Sequence, residues 1–418
     1  MKIFKKKIIK VIVAALAILN LNTKVFAASE PDIVGRVAIT MDVNTNEVIY
    51  SKNAEEPHAL ASTTKLLTSL LFAENKAKGD TITYSDYSAS LTETTLSGFL
   101  GGSIKAGDTI NADDVMKAVM IFSANDCAVL MAESVGGSIE KFTEMMNEKA
   151  KELGAVNSTF INPNGLELED GSCNITTAYD LALIGAAAYK NQWVKDTMAM
   201  DNASVSLKGY PIYIETRNKN LGKNGNVGGK TGTETRAGHC FVGFYNKDGR
   251  ELVTVVLGSN YGSDGTIVFD DTDKIADYSY KEEKEVYYEN DEKIMDIELT
   301  YKLFRFFGPE KKITAPVYVN SEIMEYKNTF NDDNLKITVD ESYDLSGWKI
   351  ASNNNVKLNV SSGIYNNEYD GRIELKTQDI INANLPLYTV CGILAAFVLI
   401  LLIIIIVKIS GKVSHKRK

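Results

Sequence analysis

The most suggestive chemistry in this 418-residue sequence begins with a serine and a lysine three positions apart, Ser62 and Lys65. In a helix this spacing puts both side chains on one face, about one turn apart. Amide donors at the start of such a helix would stabilise an oxyanion beside the serine. A lysine acts as a base only when it is neutral, and burial or a neighbouring cation lowers its pKa toward that state. The S-x-x-K spacing recurs at Ser138 and Ser346, so the spacing alone identifies only a candidate nucleophile and base.

A second motif, S-x-N at Ser123 and Asn125, supplies groups that suit the cleavage of an amide. A serine can relay a proton between a lysine and a leaving nitrogen, and an asparagine side chain both donates to and accepts from an amide. The same spacing recurs at Ser51, Ser172 and Ser352. A helix N-cap or a turn explains those three occurrences.

The third motif is K-T-G at Lys230, Thr231 and Gly232, which occurs once in the chain and is followed by Thr233. On the edge strand of a sheet it would present a fixed cation, a hydroxyl and open backbone amides to a substrate carboxylate. The alternative is the end of a phosphate-binding P-loop, but that pattern requires glycine where the sequence has Asn224. The motif therefore predicts a carboxylate site on a strand.

In this order the three motifs are shared by penicillin-binding proteins and class A β-lactamases. The chain resembles most closely the low-molecular-mass penicillin-binding proteins that are serine-type D-alanyl-D-alanine carboxypeptidases, which belong to the penicillin-recognising S-x-x-K enzymes. The resemblance covers about residues 30–280 and is looser over residues 285–385. The sequence departs from the family at Leu60, where proline often precedes the Ala-Ser pair. Further matching stretches are residues 122–133, 162–166, 176–184 and 230–240.

The resemblance implies a role for each motif residue. Ser62 would attack the carbonyl between the two D-alanines that end a peptidoglycan stem peptide, and Lys65 would take its proton. β-Lactams would acylate the same serine as covalent inhibitors, and no cofactor is implied. Ser123, with Lys230, would protonate the leaving amine, and Asn125 would bind the substrate amide. Lys230, Thr231 and the adjoining Gly232 would bind the terminal carboxylate. The backbone amides of Ser62 and Thr233 would form the oxyanion hole.

Three alternatives remain open at this point. A class A β-lactamase needs a carboxylate that drives deacylation, and Glu167 and Glu169 lie in the right region, although no E-x-x-L-N motif follows. A transpeptidase or an endopeptidase could use the same scaffold. A protein of another class, an inactive scaffold that binds the cell wall, could retain the motifs without activity.

The elements that must position these motifs indicate an α+β domain at residues 28–280. Residues 33–51 read as a hairpin whose apolar face includes Val34. Because strand patterns return only after a long helical stretch, the first and last strands are expected to share one antiparallel sheet beside a helical lobe, as in a penicillin-binding or β-lactamase-like fold. Helices are predicted at residues 62–77, 111–133, 138–153 and 176–189, and strands at 228–233, 238–245 and 251–257.

The pattern changes beyond the catalytic region. Residues 281–293 are densely charged and are predicted to be a linker or a solvated face. Short alternating stretches separated by turn residues then predict a small all-β, sandwich-like domain at residues 285–382.

The two ends of the chain predict its location. Residues 1–27 have the basic, apolar and small-residue regions of a secretory signal peptide. Residues 386–408 are apolar and long enough for a transmembrane helix, and residues 409–418 form a basic tail that is expected to stay in the cytoplasm. We therefore expect a single-pass protein of the bacterial cell membrane whose catalytic part is extracellular, on the cell-wall side.

Composition excludes several other classes. The net charge of −9 argues against nucleic-acid binding, because phosphate backbones attract basic proteins. The chain has three histidines and no zinc-binding spacing, so no metal site is expected. Arg236 is interpreted as a solvated charge in preference to a carboxylate ligand. Of the four cysteines Cys391 falls in the apolar segment, and buried free thiols are expected at Cys127, Cys173 and Cys240.

Overall fold

The computed structural model of the protein describes residues 29–415. The predicted signal peptide and the end of the basic tail lie outside this part. A five-stranded antiparallel sheet organises the N-terminal region, and its first strand pairs with its last, with Val37 opposite Leu257. This confirms that the ends of the catalytic region share a sheet. The order across the sheet is Val48–Lys52, Val37–Asp42, Arg250–Ser259, Gly238–Lys247 and Asn226–Glu234.

The predicted hairpin is present, with one correction. Val37, Ile39 and Met41 are fully buried and pack against the helical lobe, whereas Val34 is exposed. Val34 precedes the first strand, so the alternation that buries the other three residues does not extend to it.

A helical lobe packs against this sheet and carries most of the hydrophobic core. Two of its helices begin at side-chain caps near the predicted starts: Ser138 accepts a hydrogen bond from the amide of Lys141, and Thr177 accepts one from the amide of Asp180. The helices of the lobe are Ala61–Thr64, Lys65–Asn75, Asp86–Ser90, Leu96–Phe99, Ala112–Lys117, Ala118–Phe122, Asn125–Gly136, Ile139–Glu152, Ala178–Lys190 and Gln192–Met198. The helix Ile267–Lys281 packs on the other face of the sheet, in a separate core. Short strand pairs join His58–Ala59 to Ile175–Thr176, Thr81–Thr83 to Thr109–Asn111, and Asn202–Leu207 to Tyr210–Glu215.

The prediction of one continuous helix over residues 111–133 is wrong. The chain forms an α-helix at Ala112–Lys117 and a π-helical turn at Ala118–Phe122, and Ser123 then adopts a left-handed conformation with φ of 73°. The amide of Asn125 bonds to the carbonyl of Thr94, outside the helix, before helical geometry resumes. Apolar periodicity continues through the break, so the sequence pattern did not reveal it.

The C-terminal region is β-rich, as expected, and has its own hydrophobic core. Its five-stranded sheet has the order Lys293–Lys302, Glu310–Val319, Tyr365–Ile373, Asn355–Ser362 and Lys336–Val339. The predicted linker is partly structured, because Glu285–Tyr288 pairs with Ile323–Glu325. Short helices lie at Thr329–Asn334, Gly347–Ile350 and Thr377–Ala383.

The two regions are packed against each other. The side chain of Asn331 donates to the carbonyl oxygen of Val48 in the outer strand of the catalytic sheet. Phe330 stacks on Tyr179 with ring centroids 4.5 Å apart, and the amide of Ile364 donates to the Tyr179 hydroxyl. Buried carboxamides and a stacked aromatic pair thus hold the β-rich region on the catalytic region.

The last helix of the described residues is Leu385–His415. Its segment Leu385–Ile409 is long and apolar enough to cross a membrane, and it is not buried against the rest of the protein. All four cysteines are free. Cys127 and Cys240 are buried as expected, whereas Cys173 is partly exposed.

Candidate active site

Ser62 lies in the short 3-10 turn Ala61–Thr64, which leads directly into the helix Lys65–Asn75. The preceding residue, Ala61, has a φ of 47°, a conformation that costs energy for any residue with a side chain. The Nζ atom of Lys65 lies 2.7 Å from the Ser62 hydroxyl oxygen. The structure therefore brings the predicted nucleophile and base into direct contact.

Lys65 is fully buried, and its surroundings favour the neutral amine. Its Nζ also contacts the side-chain oxygen of Asn125 and the backbone oxygen of Asn164, each at 2.7 Å. Desolvation, with a smaller contribution from the Arg217 guanidinium, lowers the pKa of Lys65 to about 7. At neutral pH a large fraction of this lysine is therefore able to accept a proton.

The left-handed turn at Ser123 brings the S-x-N motif into contact with the lysines of the other two motifs. The Lys230 Nζ donates to the Ser123 hydroxyl at 2.9 Å. The Asn125 side chain accepts from Lys65 and donates to the backbone oxygen of Glu93. The break in the predicted helix is thus what connects the second motif to both of the other two.

The K-T-G motif lies in the strand Asn226–Glu234 at the edge of the catalytic sheet, as predicted. Because Lys230 is inside a strand and does not begin a helix, the P-loop alternative is wrong. Burial, together with the nearby Lys65 and Arg217 cations, holds the pKa of Lys230 well below its ordinary value.

Gly232 allows the edge strand to approach the nucleophile turn. A Cβ atom at this position would lie 2.9 Å from the Leu60 oxygen and 3.0 Å from the Ser62 amide nitrogen. Gly165 serves the same turn from the opposite side, since its Cβ would lie 1.9 Å from the Ala61 oxygen. Both glycines therefore serve a close approach between backbones.

These motifs meet in one cavity of about 390 Å³, whose lining includes Ser62, Ser123, Asn125, Thr231 and Thr233. Lys65 and Lys230 are buried just behind the lining side chains. The sequence motifs therefore converge on a single cleft.

Arg217 also lines the cleft, although it belongs to none of the three motifs. Its guanidinium lies 5.1 Å from the Phe122 ring centre, and within residues 29–415 no carboxylate lies within ion-pairing distance of it. Arg236, by contrast, is exposed and donates to the carbonyl of Gly171. Arg217 thus places a cation without an ion-pair partner among the described residues in the cleft, and its isolated position in the sequence concealed it.

Two acidic side chains, Glu93 and Glu234, also line the cleft. Glu167 and Glu169 do not; they are exposed and line a neighbouring cavity. The carboxylates considered for a β-lactamase mechanism therefore lie outside the cavity that contains Ser62.

Comparison with known proteins identifies the family. The family model for peptidase S11, D-alanyl-D-alanine carboxypeptidase, matches residues 24–261. The chain belongs to this family. In the part that the structure describes, no group of three or more His, Cys, Asp or Glu side chains could hold a metal ion.

The similarity to individual members of the peptidase S11 family is moderate. The chain is 32% identical over 233 residues to D-alanyl-D-alanine carboxypeptidase DacF of Bacillus subtilis, covering 53% of this chain and 57% of that relative. The solved structure of penicillin-binding protein D2 from Listeria monocytogenes with ampicillin bound is 25% identical, with a TM-score of 0.53 over 60% of this chain and all of that one. DacD of Francisella tularensis shares the fold over 86% of this chain and 97% of that one, at 19% identity and a TM-score of 0.59.

Proposed function

We propose that this protein is a serine-type D-alanyl-D-alanine carboxypeptidase that removes the terminal D-alanine from peptidoglycan pentapeptide stems through an acyl-enzyme on Ser62. The observation that carries the proposal is the 2.7 Å contact between the Ser62 hydroxyl and a lysine whose pKa is lowered to about 7. Such a pair activates a serine without histidine, in the way that S-x-x-K enzymes require.

In acylation, the Ser62 oxygen attacks the carbonyl carbon of the penultimate D-alanine as its proton passes to Lys65. The negative charge that develops on the carbonyl oxygen would be stabilised by the amides of Ser62 and Thr233. The close approach that Gly232 permits between the edge strand and the Ser62 turn supports this pairing of amides.

As the tetrahedral intermediate collapses, the carbon–nitrogen bond breaks and the leaving amine takes the proton of Ser123. Lys230, 2.9 Å from the Ser123 oxygen, supports a proton relay at this step. The Ser123 oxygen then takes a proton from the Lys230 ammonium. In hydrolysis, water attacks the acyl carbon and passes a proton through Ser123 to Lys230, while Lys65 returns its proton to the Ser62 oxygen as the ester bond breaks and the shortened stem peptide leaves.

The terminal carboxylate of the substrate would lie among Lys230, Arg217 and the hydroxyl of Thr231. Desolvation lowers the pKa of Lys230 in the free protein. An arriving carboxylate opposes that effect and favours the ammonium form. Substrates with a free carboxylate are thereby selected, while Asn125 binds the peptide amide on the other side of Ser62.

We also propose that the helix Leu385–Ile409 is a single-pass anchor that holds the catalytic region on the cell-wall side of the membrane. Its length and composition support a span. The signal-like residues 1–27 and the basic residues 409–418 support the orientation.

Release of D-alanine from a stem pentapeptide, measured beside labelling with a fluorescent penicillin, tests this function. Wild type and Ser346→Ala, which removes the serine of another S-x-x-K match, should do both, and Ser62→Ala should do neither. If the protein is labelled but cleaves only cross-linked stems, it is an endopeptidase. If it hydrolyses penicillin rapidly, it is a β-lactamase. Absence of labelling in a folded wild-type protein would favour a scaffold.

A further inference from the structure

The turn that joins the strands Lys293–Lys302 and Glu310–Val319 carries an unusual exposed surface, which we call the aromatic tip (residues 303–309). Phe306 and Phe307 are 78% and 66% exposed. Phe304 stacks on Phe307, with ring centroids 5.1 Å apart. Two neighbouring phenylalanines exposed at the end of a hairpin are costly in water and indicate a surface that is covered in use.

The aromatic tip is attached to the start of the apolar C-terminal helix. Asn384, just before that helix, donates to the Tyr301 hydroxyl at 2.6 Å. One helical turn later, the Tyr388 hydroxyl donates to the backbone oxygen of Leu303. The rings of Phe304 and Tyr388 lie 5.8 Å apart.

These contacts show which way the tip points. From residue 384 to 388 a helix advances about 6 Å, and from residue 301 to 303 a strand advances about 7 Å. The hairpin and the helix therefore run side by side in the same direction. The turn that holds Phe306 and Phe307 lies farther along this direction, toward the apolar run of the helix.

Charge at the turn also favours a membrane surface. Lys302, Arg305 and Lys311 are exposed, and none of them forms an ion pair within the described residues. Glu310 is the one acidic residue between positions 302 and 311. The Arg305 guanidinium lies 5.5 Å from the Phe306 ring centre. Aromatic rings with flanking basic side chains suit the interface between headgroups and acyl chains, because the rings lie at this boundary while the charged ends stay in water.

We propose that the aromatic tip inserts Phe306 and Phe307 into the interface of the bilayer that the helix Leu385–Ile409 crosses. The inference rests on the proposed membrane span. The tip gives the protein a second attachment point beside the helix. Together with the packing of the β-rich region on the catalytic region, two attachment points would set the height and tilt of the cleft above the membrane.

Quenching of tryptophan fluorescence by brominated lipids tests this insertion in the full chain, reconstituted in phosphatidylcholine and phosphatidylglycerol vesicles. Phe306→Trp places a reporter in the tip, Phe397→Trp places one in the span, and Tyr213→Trp places one on an equally exposed hairpin of the catalytic region. Wild type, with Trp193 and Trp348, supplies the baseline.

The added fluorescence of Phe306→Trp should fall roughly twofold or more with bromines near the headgroups, and less with deep bromines, as expected for an interfacial aromatic residue. Phe397→Trp should show the opposite depth preference, and Tyr213→Trp no quenching. Quenching at residue 397 without quenching at residue 306 would overturn the insertion and leave the span in place. Absence of quenching at both would refute the span and the insertion with it. An unquenched tip whose emission shifts with the protein-to-lipid ratio would mean that a second copy covers it, which also overturns the proposal.

Discussion

The catalytic cleft and the junction with the β-rich region each bury an ionisable group whose pKa lies near neutrality. In the cleft, desolvation lowers the pKa of Lys65 to about 7. At the junction, desolvation raises the pKa of Glu325 to about 7, and its Oε1 atom is buried without a hydrogen-bond partner. Lys284 and Glu47 form a salt bridge nearby. The Lys284 cation lowers the pKa of Glu325, and the Glu47 carboxylate raises it.

The difference between the two sites is in what each group can reach. The Lys65 amine contacts a hydroxyl that lines an open cavity, whereas the Glu325 side chain is 2% exposed and packs at a junction. A pKa near neutrality therefore does not by itself identify a catalytic residue. Contact with a nucleophile that substrate can approach is the additional requirement.

The largest effect should follow from removing the base. Lys65→Met should slow acylation by penicillin about 10³- to 10⁴-fold, because the serine proton then has no acceptor. Stopped-flow measurement of acylation checks this, and Lys141→Met, at a different S-x-x-K lysine, is the matched control. If a folded Lys65→Met protein acylates at the wild-type rate, Lys65 is not the base, and it no longer differs in function from Glu325 at the junction.

A smaller loss should follow from pushing the edge strand away from the nucleophile. Gly232→Ala should slow acylation about 10²-fold, because a Cβ at this position meets the Ser62 turn and moves reacting groups by a fraction of an ångström or more. Gly79→Ala is the control, since nothing lies within 4 Å of a Cβ there. Equal acylation rates in the two variants would contradict the close approach.

Arg217 is expected to affect both substrate binding and the protonation state of Lys65. In wild type the acylation rate should rise as pH increases through about 7, as Lys65 loses its proton. Arg217→Gln removes a cation that lowers the Lys65 pKa, so the rise should move to higher pH. Substrates with a free carboxylate should also lose about tenfold in kcat/KM. If the pH profile of Arg217→Gln is not shifted, Arg217 does not affect the pKa of Lys65.

The smallest effect concerns the junction. Folding raises the pKa of Glu325 from 4.5 to about 7. The carboxyl group therefore contributes to the free energy of unfolding in full below pH 4.5, and this contribution is lost as the pH rises through about 7. Glu325→Gln should therefore raise the free energy of unfolding by about 1 kcal/mol at pH 8, and by less at pH 5. Denaturant unfolding at both pH values measures this, with acylation as a control that should not change. A gain at pH 8 no larger than that at pH 5 would contradict it.

Local patterns predicted much of the fold and most of the cleft. Alternation predicted the hairpin at residues 33–51, and apolar periodicity predicted the helices that begin near Ser138 and Thr177. Patterns failed where a distant part of the chain decides local geometry. The predicted helix over residues 111–133 breaks at Ser123, where the Ser123 hydroxyl accepts a hydrogen bond from Lys230 and the Asn125 amide donates to the carbonyl of Thr94.

The sequence by itself determined the chemistry available to this protein: two serines, two lysines, an asparagine and a threonine in three motifs, and an apolar segment near the end. Residue type and short spacing are local properties, so they can be read directly. Only the tertiary structure decided that Lys65 loses its solvent, that Asn164 and Arg217 join it, and that an aromatic turn lies beside the apolar helix. Burial and the approach of residues distant in the sequence exist only once the chain has folded, and they set the pKa of the base and the surfaces left exposed.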